Sequence, residues 1–243
     1  EHNCSLVSKT IGIVGHGHVG KRVERLAHQL GMNVLLNDPP LALENPDKYV
    51  DLHTIARECD VITFHTPLTR EGEFATYHLA DEEFFKTLQE NNPNNTPSLI
   101  INAARGGIIN ENALLSHLSQ LSTFNFQLSN IAIDCWDGEP ETNSELRQRA
   151  LIATPHIAGY SADGKLNATQ QVVQAVAIAL NITPNTIEGL SEKKTTDKEG
   201  DELKDELLNN YNILADSDAL KTEPEKFEHF RSNYPVRREL KIY

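Results

Sequence analysis

Three apolar runs in this 243-residue chain end in groups that can hold charge or move a proton. The first run ends in Asn102-Ala103-Ala104-Arg105-Gly106-Gly107, which presents a guanidinium. The second ends in Asp134-Cys135-Trp136-Asp137-Gly138-Glu139-Pro140, which presents carboxylates. The third ends in Thr154-Pro155-His156-Ile157-Ala158-Gly159-Tyr160, which presents an imidazole. Hydride transfer from a 2-hydroxy acid needs these three types together. A guanidinium holds a substrate carboxylate bidentately. An imidazole titrates in the range needed to take the hydroxyl proton. A carboxylate orients that imidazole and favours its charged form. Of the ten histidines, only His156 has such flanks. His65, in His65-Thr66-Pro67-Leu68, is the next candidate and is read as shaping a cofactor loop.

A hydride needs an acceptor, and the front of the chain offers a place for one. "GIVGHGHVGKRVERLAHQLGMNVLLNDPP", residues 12–40, carries Gly15, Gly17 and Gly20 in the spacing G-x-G-x-x-G. A strand pattern precedes the glycines, a helix pattern follows, and Asp38 ends the next strand pattern. In such a unit the first glycine permits a tight turn and the second lets backbone approach a pyrophosphate. The third lets helix and strand pack closely. The helix N-terminus offers free N–H groups to the phosphates. Asp38 can accept hydrogen bonds from ribose hydroxyls and would repel a 2′-phosphate, so NAD is expected over NADP. His16 and His18 are read as loop lining, not as metal ligands, and no metal site is expected.

These groups need a frame. Apolar runs 10–15, 33–38, 61–67, 98–107, 130–140 and 150–160 alternate with helical patterns, the last of them 164–180. That alternation predicts an α/β fold, a Rossmann-type doubly wound parallel sheet covered on both faces. Ligands of such sheets sit at the carboxyl ends of the strands, where the candidate groups lie. Residues 1–182 are expected to form the NAD-binding domain that carries the reacting groups. Residues 183–243 change texture: a charged linker, then "FEHFRSNYPVRRELKIY", read as a small appendage that packs on a partner subunit.

Composition narrows the partners. The chain is 39% hydrophobic and 23% charged, as in soluble globular proteins, and carries a net charge of −13. That charge disfavours nucleic acid and anionic lipid. No run of about 18 apolar residues is present, so no membrane span is expected. Cys4, Cys59 and Cys135 have neither disulfide-framework nor zinc spacing and are read as reduced thiols of a cytoplasmic protein. The chain opens at Glu1 and its one methionine is Met32, which reads as a fragment.

Taken together, the glycine fingerprint, "HTPLT", "INAARGG", "DCWDGEPE" and "TPHIAGY" resemble the D-isomer-specific 2-hydroxyacid dehydrogenases. The resemblance implies that Arg105 binds and polarises the substrate, that His156 exchanges the proton and that Glu139 pairs with His156. It implies NAD contacts from Gly15, Gly17, His18, Val19, Gly20, Asp38, Thr66, Ala103, Ala104, Arg105, Asp134 and Gly159. Tyr160 would touch the substrate, a phosphorylated 2-hydroxy acid. The end of the chain resembles a C-terminal α+β dimerisation region, which implies a homodimer. Arg231, Arg237 and Arg238 there are read as dimer-contact or surface charges, with a phosphate contact as the alternative. The resemblance also implies a second, substrate-binding lobe ahead of the fingerprint. Without that lobe this chain is expected to bind NAD but to turn over poorly or not at all. Relatives acting on 3-phosphoglycerate or glyoxylate share the Arg, Glu and His, and an NAD-sensing binding module on the same fold is the non-enzymatic alternative.

Overall fold

The computed structural model describes residues 5–90, 99–121, 129–183 and 195–242. Cys4, most of the asparagine-rich connection "QENNPNNTPSL" and residues 184–194 of the charged linker lie outside the described residues.

In chain order the first half runs β1 (Thr10–Val14), α1 (Gly20–Gln29), β2 (Asn33–Asn37), α2 (Pro39–Ala42), α3 (Leu52–Glu58), β3 (Val61–Phe64), α4 (Glu82–Glu90), β4 (Leu99–Asn102) and α5 (Glu111–Leu121). The second half runs β5 (Ser129–Ile133), α6 (Ser144–Arg149), β6 (Ala150–Ala153), α7 (Ala162–Leu180), β7 (Thr195–Thr196), α8 (Gly200–Asn210), α9 (Ile213–Thr222), α10 (Phe227–Ser232) and β8 (Lys241–Ile242). Strands β1 to β6 form one parallel sheet in the order β2-β1-β3-β4-β5-β6. β7 and β8 make a separate parallel pair. The order reverses between β1 and β3, where a crevice opens at the carboxyl ends of an open sheet.

Local chemistry explains the frame. β1 buries Ile11, Ile13 and Val14, and a Cβ at Gly12 would lie 2.5 Å from Ile55 Cγ2. Glycine there lets α3 settle directly on the sheet. Asp51 starts α3 by accepting from the Thr54 amide at 2.7 Å. Ser161 starts α7 by accepting from the Gly164 amide at 2.8 Å. The core is apolar on both sheet faces. One cluster gathers Phe64, Ile62, Ile100, Ile133 and Trp136, and a smaller one gathers Ile13, Leu30, Met32 and Leu36.

The strands are shorter than the apolar runs that announced them. They stop at Phe64, Asn102, Ile133 and Ala153, because the residues beyond turn away to build loops at one sheet edge. The C-terminal helices do not stand off the sheet. Leu203 of α8 is buried in the smaller cluster, and Leu220 of α9 and Phe227 of α10 are buried in the larger one. The Ala153 amide donates to Ser217 Oγ at 3.0 Å, tying α9 to β6. No helix among the described residues is long and apolar enough to cross a membrane.

Candidate active site

At the crevice between β1 and β3 the glycine loop is built as its spacing required. Gly15 has φ +93°, and a Cβ there would press within 2.8 Å of the His65–Thr66 backbone at the end of β3. A Cβ at Gly20 would lie 2.1 Å from the Gly15 carbonyl oxygen, so the start of α1 packs on the loop itself. At Gly17 a Cβ would meet nothing within 4 Å. Sterics therefore demand glycine at 15 and 20, whereas Gly17 faces open space of the kind a pyrophosphate needs. The buried Thr66 Oγ1 has no hydrogen-bond partner among the described residues. An unpaired buried hydroxyl beside an open glycine cradle fits a polar cofactor. His18 and Val19 are exposed at the start of α1.

Asp38 stands at the end of β2, but its carboxylate is partly engaged. Oδ2 accepts from the His16 amide at 2.7 Å, and Oδ1 accepts from the Leu41 amide at 3.2 Å, capping α2. The two loop histidines differ. His18 is exposed, whereas His16 is 1% exposed, with its ring nitrogens 3.0 Å from Tyr49 Oη and 2.8 Å from Glu24 Oε2. His16 therefore braces the loop from beneath. Nothing in its sequence neighbourhood announced that, since Glu24 and Tyr49 reach it only in the fold. His65 lies at the end of β3, where burial pushes its imidazole down to about 4. Its Nε2 is 2.9 Å from Thr63 Oγ1. Among the described residues, no group of three or more His, Cys, Asp or Glu could hold a metal ion.

The residues after β4, β5 and β6 form the second half of the edge. Asn102 shapes the turn that carries Arg105. Its Nδ2 donates to the carbonyls of Arg105 and Cys135 at 3.0 and 3.1 Å, and its Oδ1 accepts from the Ala104 amide. A Cβ at Gly106 would lie 1.9 Å from the Trp136 carbonyl oxygen, so glycine lets this turn sit against the loop after β5. Arg105 is exposed and donates from Nη1 to the Ala104 carbonyl at 2.7 Å. Ala103 is half-buried and Ala104 buried on the same turn.

His156 has φ +54°, a left-handed conformation that costs about 1 kcal/mol in a residue with a Cβ. Asp134 compensates. Its carbonyl accepts from the His156 amide at 2.9 Å. Its carboxylate accepts from Thr154 Oγ1 at 2.7 Å, from the Ile157 amide at 2.8 Å and from the Ala158 amide at 3.0 Å. Asp134 is thus the residue that sets the His156 loop, a role the sequence reading did not assign. The signal was faint: one buried acid at the end of an apolar strand.

With the loop set, Nδ1 of His156 lies 2.6 Å from Glu139 Oε1. Both side chains are about one-fifth exposed, which leaves room for a ligand. Glu139 is also held from below by the Trp136 amide at 3.4 Å, and the Trp136 ring donates from Nε1 to the Thr154 carbonyl at 2.9 Å. Burial, the largest single influence, pushes the Glu139 carboxyl up. The His156 hydrogen bond and charge, the Trp136 amide and Arg231 outweigh it and hold the group below its usual value. An ionised carboxylate only accepts, so Nδ1 carries the proton and Nε2 is left as the acceptor. Arg105 makes no hydrogen bond to this pair. It is near enough, with Glu139, to act on the buried Cys135 thiol, which burial and the two neighbouring carboxylates push up. Beyond His156, Gly159 is exposed and Tyr160 is half-buried, its ring edge-on to Tyr234 at 6.3 Å.

The fold and its cofactor have counterparts among known proteins. The family model "D-isomer specific 2-hydroxyacid dehydrogenase, NAD binding domain" matches residues 2–158. The erythronate-4-phosphate dehydrogenase of Bacteroides thetaiotaomicron is 43% identical over 96% of this chain and 64% of its own length. That of Porphyromonas gingivalis is 36% identical over 98% of this chain and 64% of its own length. The chain thus spans somewhat under two thirds of the curated relatives it matches. Among solved structures, an NAD⁺-bound 3-phosphoglycerate dehydrogenase of Entamoeba histolytica superposes with TM-score 0.58 at 27% identity, covering 78% of this chain and 58% of that one. The D-lactate dehydrogenase of Escherichia coli does so with TM-score 0.56 at 28% identity, covering 74% of this chain and 54% of that one. The chain belongs to the D-isomer specific 2-hydroxyacid dehydrogenase family and carries that family's NAD-binding domain.

Proposed function

We propose that this protein oxidises 4-phospho-D-erythronate at its 2-hydroxyl to (R)-3-hydroxy-2-oxo-4-phosphooxybutanoate, a step of pyridoxal 5′-phosphate synthesis. The observation that carries this reading is the 2.6 Å His156–Glu139 pair at the carboxyl edge of an NAD-binding sheet. The choice of substrate rests on relatives named for erythronate 4-phosphate, which match at 36–43% identity.

Bound NAD⁺ supplies the hydride acceptor. Gly17 and the start of α1 would cradle its pyrophosphate, Asp38 would take the ribose, and His18, Val19, Thr66, Ala103, Ala104, Asp134 and Gly159 would line the rest of its path. Arg105 holds the substrate carboxylate and polarises C2. Nε2 of His156 takes the hydroxyl proton as the C2 hydrogen leaves with its electron pair. The imidazolium so formed is stabilised through Nδ1 by Glu139. Tyr160 contacts the far end of the substrate. Residues 1–182 act as the cofactor domain and 183–243 as its C-terminal extension, which completes a homodimer. The two described thiols, Cys59 and Cys135, are buried, which suits a reducing cytoplasm.

The test is NAD-dependent oxidation by the protein of 4-phospho-D-erythronate, 3-phospho-D-glycerate and D-lactate. The expected result is a preference for the first and a loss of about 10³-fold in kcat in His156→Ala. Equal turnover by wild type and His156→Ala would remove the proton-transfer role. Preference for another acid would move the chain to another branch of the family.

A further inference from the structure

The proposed substrate carries two anionic groups, a carboxylate and a phosphate, and Arg105 accounts for one. The C-terminal segment brings a second guanidinium to the same edge. Phe227 anchors α10 in the core, 1% exposed. Arg231 lies on α10 one turn further along, with its guanidinium carbon 5.8 Å from the centre of the Tyr160 ring. Lys165, at the start of α7, places its Nζ 4.4 Å from the same ring. Two cations thus converge on Tyr160, four residues beyond His156.

The neighbouring arginines are committed within the chain. Arg237 donates from Nη2 to the carbonyls of Ile157 and Ala158 at 3.1 and 2.9 Å. Arg238 grips the Asp163 carboxylate with Nε and Nη2 at 2.9 and 3.1 Å. Arg231 differs. Its Nε is buried and has no hydrogen-bond partner among the described residues. Its ion pair, with Glu228 on its own helix, is loose at 3.6 Å. A buried guanidinium N–H without an acceptor is costly, and an anion held at Arg231 would supply the missing acceptor. The Arg231 charge also helps hold the Glu139 carboxyl low, so its field reaches the reacting pair.

We propose that Arg231, with Lys165 and Tyr160 beside it, binds the phosphate of the substrate and so determines the preference for a phosphorylated acid. The proposal rests on the reading of the site as a 2-hydroxyacid dehydrogenase. It assigns a part of the C-terminal extension to its own chain's site. Arg237 fits the same design, since it clamps the loop that carries His156 and Tyr160.

The test compares wild type, Arg231→Gln and Arg231→Lys in the intact protein, with NAD affinity as the check on folding. The readout is the ratio of kcat/KM for 4-phospho-D-erythronate to that for D-erythronate. Arg231→Gln should lower this ratio about 10²-fold, as expected for loss of a charge-assisted hydrogen-bonded contact, and Arg231→Lys should restore part of it. An unchanged ratio, with both substrates slowed alike and the pH profile moved, would overturn the proposal and leave Arg231 acting through Glu139. If Arg231→Gln fails to bind NAD, Arg231→Lys carries the comparison. Calorimetric titration with inorganic phosphate decides the matter even if wild type oxidises neither acid. Binding lost in the variants sustains the anion site and condemns only the substrate reading, and equal binding overturns the site.

Discussion

Nδ1 of His156 lies 2.6 Å from Oε1 of Glu139, and the pair spans two loops that leave adjacent parallel strands. Sheet register therefore sets the distance. Glu139→Gln keeps the shape but removes the charge that stabilises imidazolium. It is expected to lower kcat about 10²-fold while NAD affinity stays within about twofold. Steady-state kinetics and a cofactor titration check this, and a kcat within twofold of wild type would disprove the electrostatic role.

Asp134 sets the left-handed turn at His156 through three carboxylate contacts and one carbonyl contact. In Asp134→Ala the Thr154 hydroxyl and two amides lose their acceptor in a buried place. A cost of about 3 kcal/mol follows, or a Tm lower by roughly 6–12 °C. Activity should fall further than Tm alone explains, because His156 leaves Glu139. Thermal unfolding beside single-turnover rates separates the two effects. A variant with normal Tm would show that the loop does not need its acid.

Gly17 and Gly20 separate binding from folding. Gly17→Ala puts its methyl into open space, so stability should hold while the Kd for NAD rises about tenfold or more. Gly20→Ala forces a methyl to 2.1 Å from the Gly15 carbonyl oxygen, so the loop must move and both properties should suffer. Differential unfolding with and without NAD reads both at once. Equal Tm losses in the two variants would contradict the open cradle at Gly17.

The legible parts of this molecule were those written in local spacing. The glycines announce their turn because three residues within six positions must satisfy one backbone path. Arg105, Glu139 and His156 are legible as candidates because parallel strands deliver their C-terminal residues to one edge. Other features depend on contacts made across the chain. Asp134 is an ordinary strand-end acid until Thr154, Ile157 and Ala158 fold back onto it. His16 is a loop histidine until Tyr49 and Glu24 arrive. Leu203 is one apolar residue in the charged run "KEGDELKDE", yet it is fully buried in the cluster that holds Ile13, Leu30 and Leu36. The placement of α8 to α10 on the sheet was hidden for the same reason: their apolar stripes are narrow and find their partners far away in sequence.

His117 gives a prediction about acid stability. It is 6% exposed and stacks on Phe85 with ring centres 5.4 Å apart. Burial pushes its imidazole down to about 4. In the unfolded chain it titrates near its ordinary value of about 6.5. Between those values the unfolded state binds the extra proton and the folded state does not. Stability is therefore intact above about pH 6.5, falls as pH drops, and stops falling from this source below about pH 4. The full effect is at most about 3 kcal/mol, with a limiting slope of about 1.4 kcal/mol per pH unit. His117→Phe keeps the stack and removes the titration. Urea unfolding free energies of wild type and variant between pH 4.5 and 7 should separate progressively toward acid pH, the wild type falling with the steeper slope and the variant with the shallower one. Parallel slopes would mean that His117 is not held neutral by its burial beside Phe85.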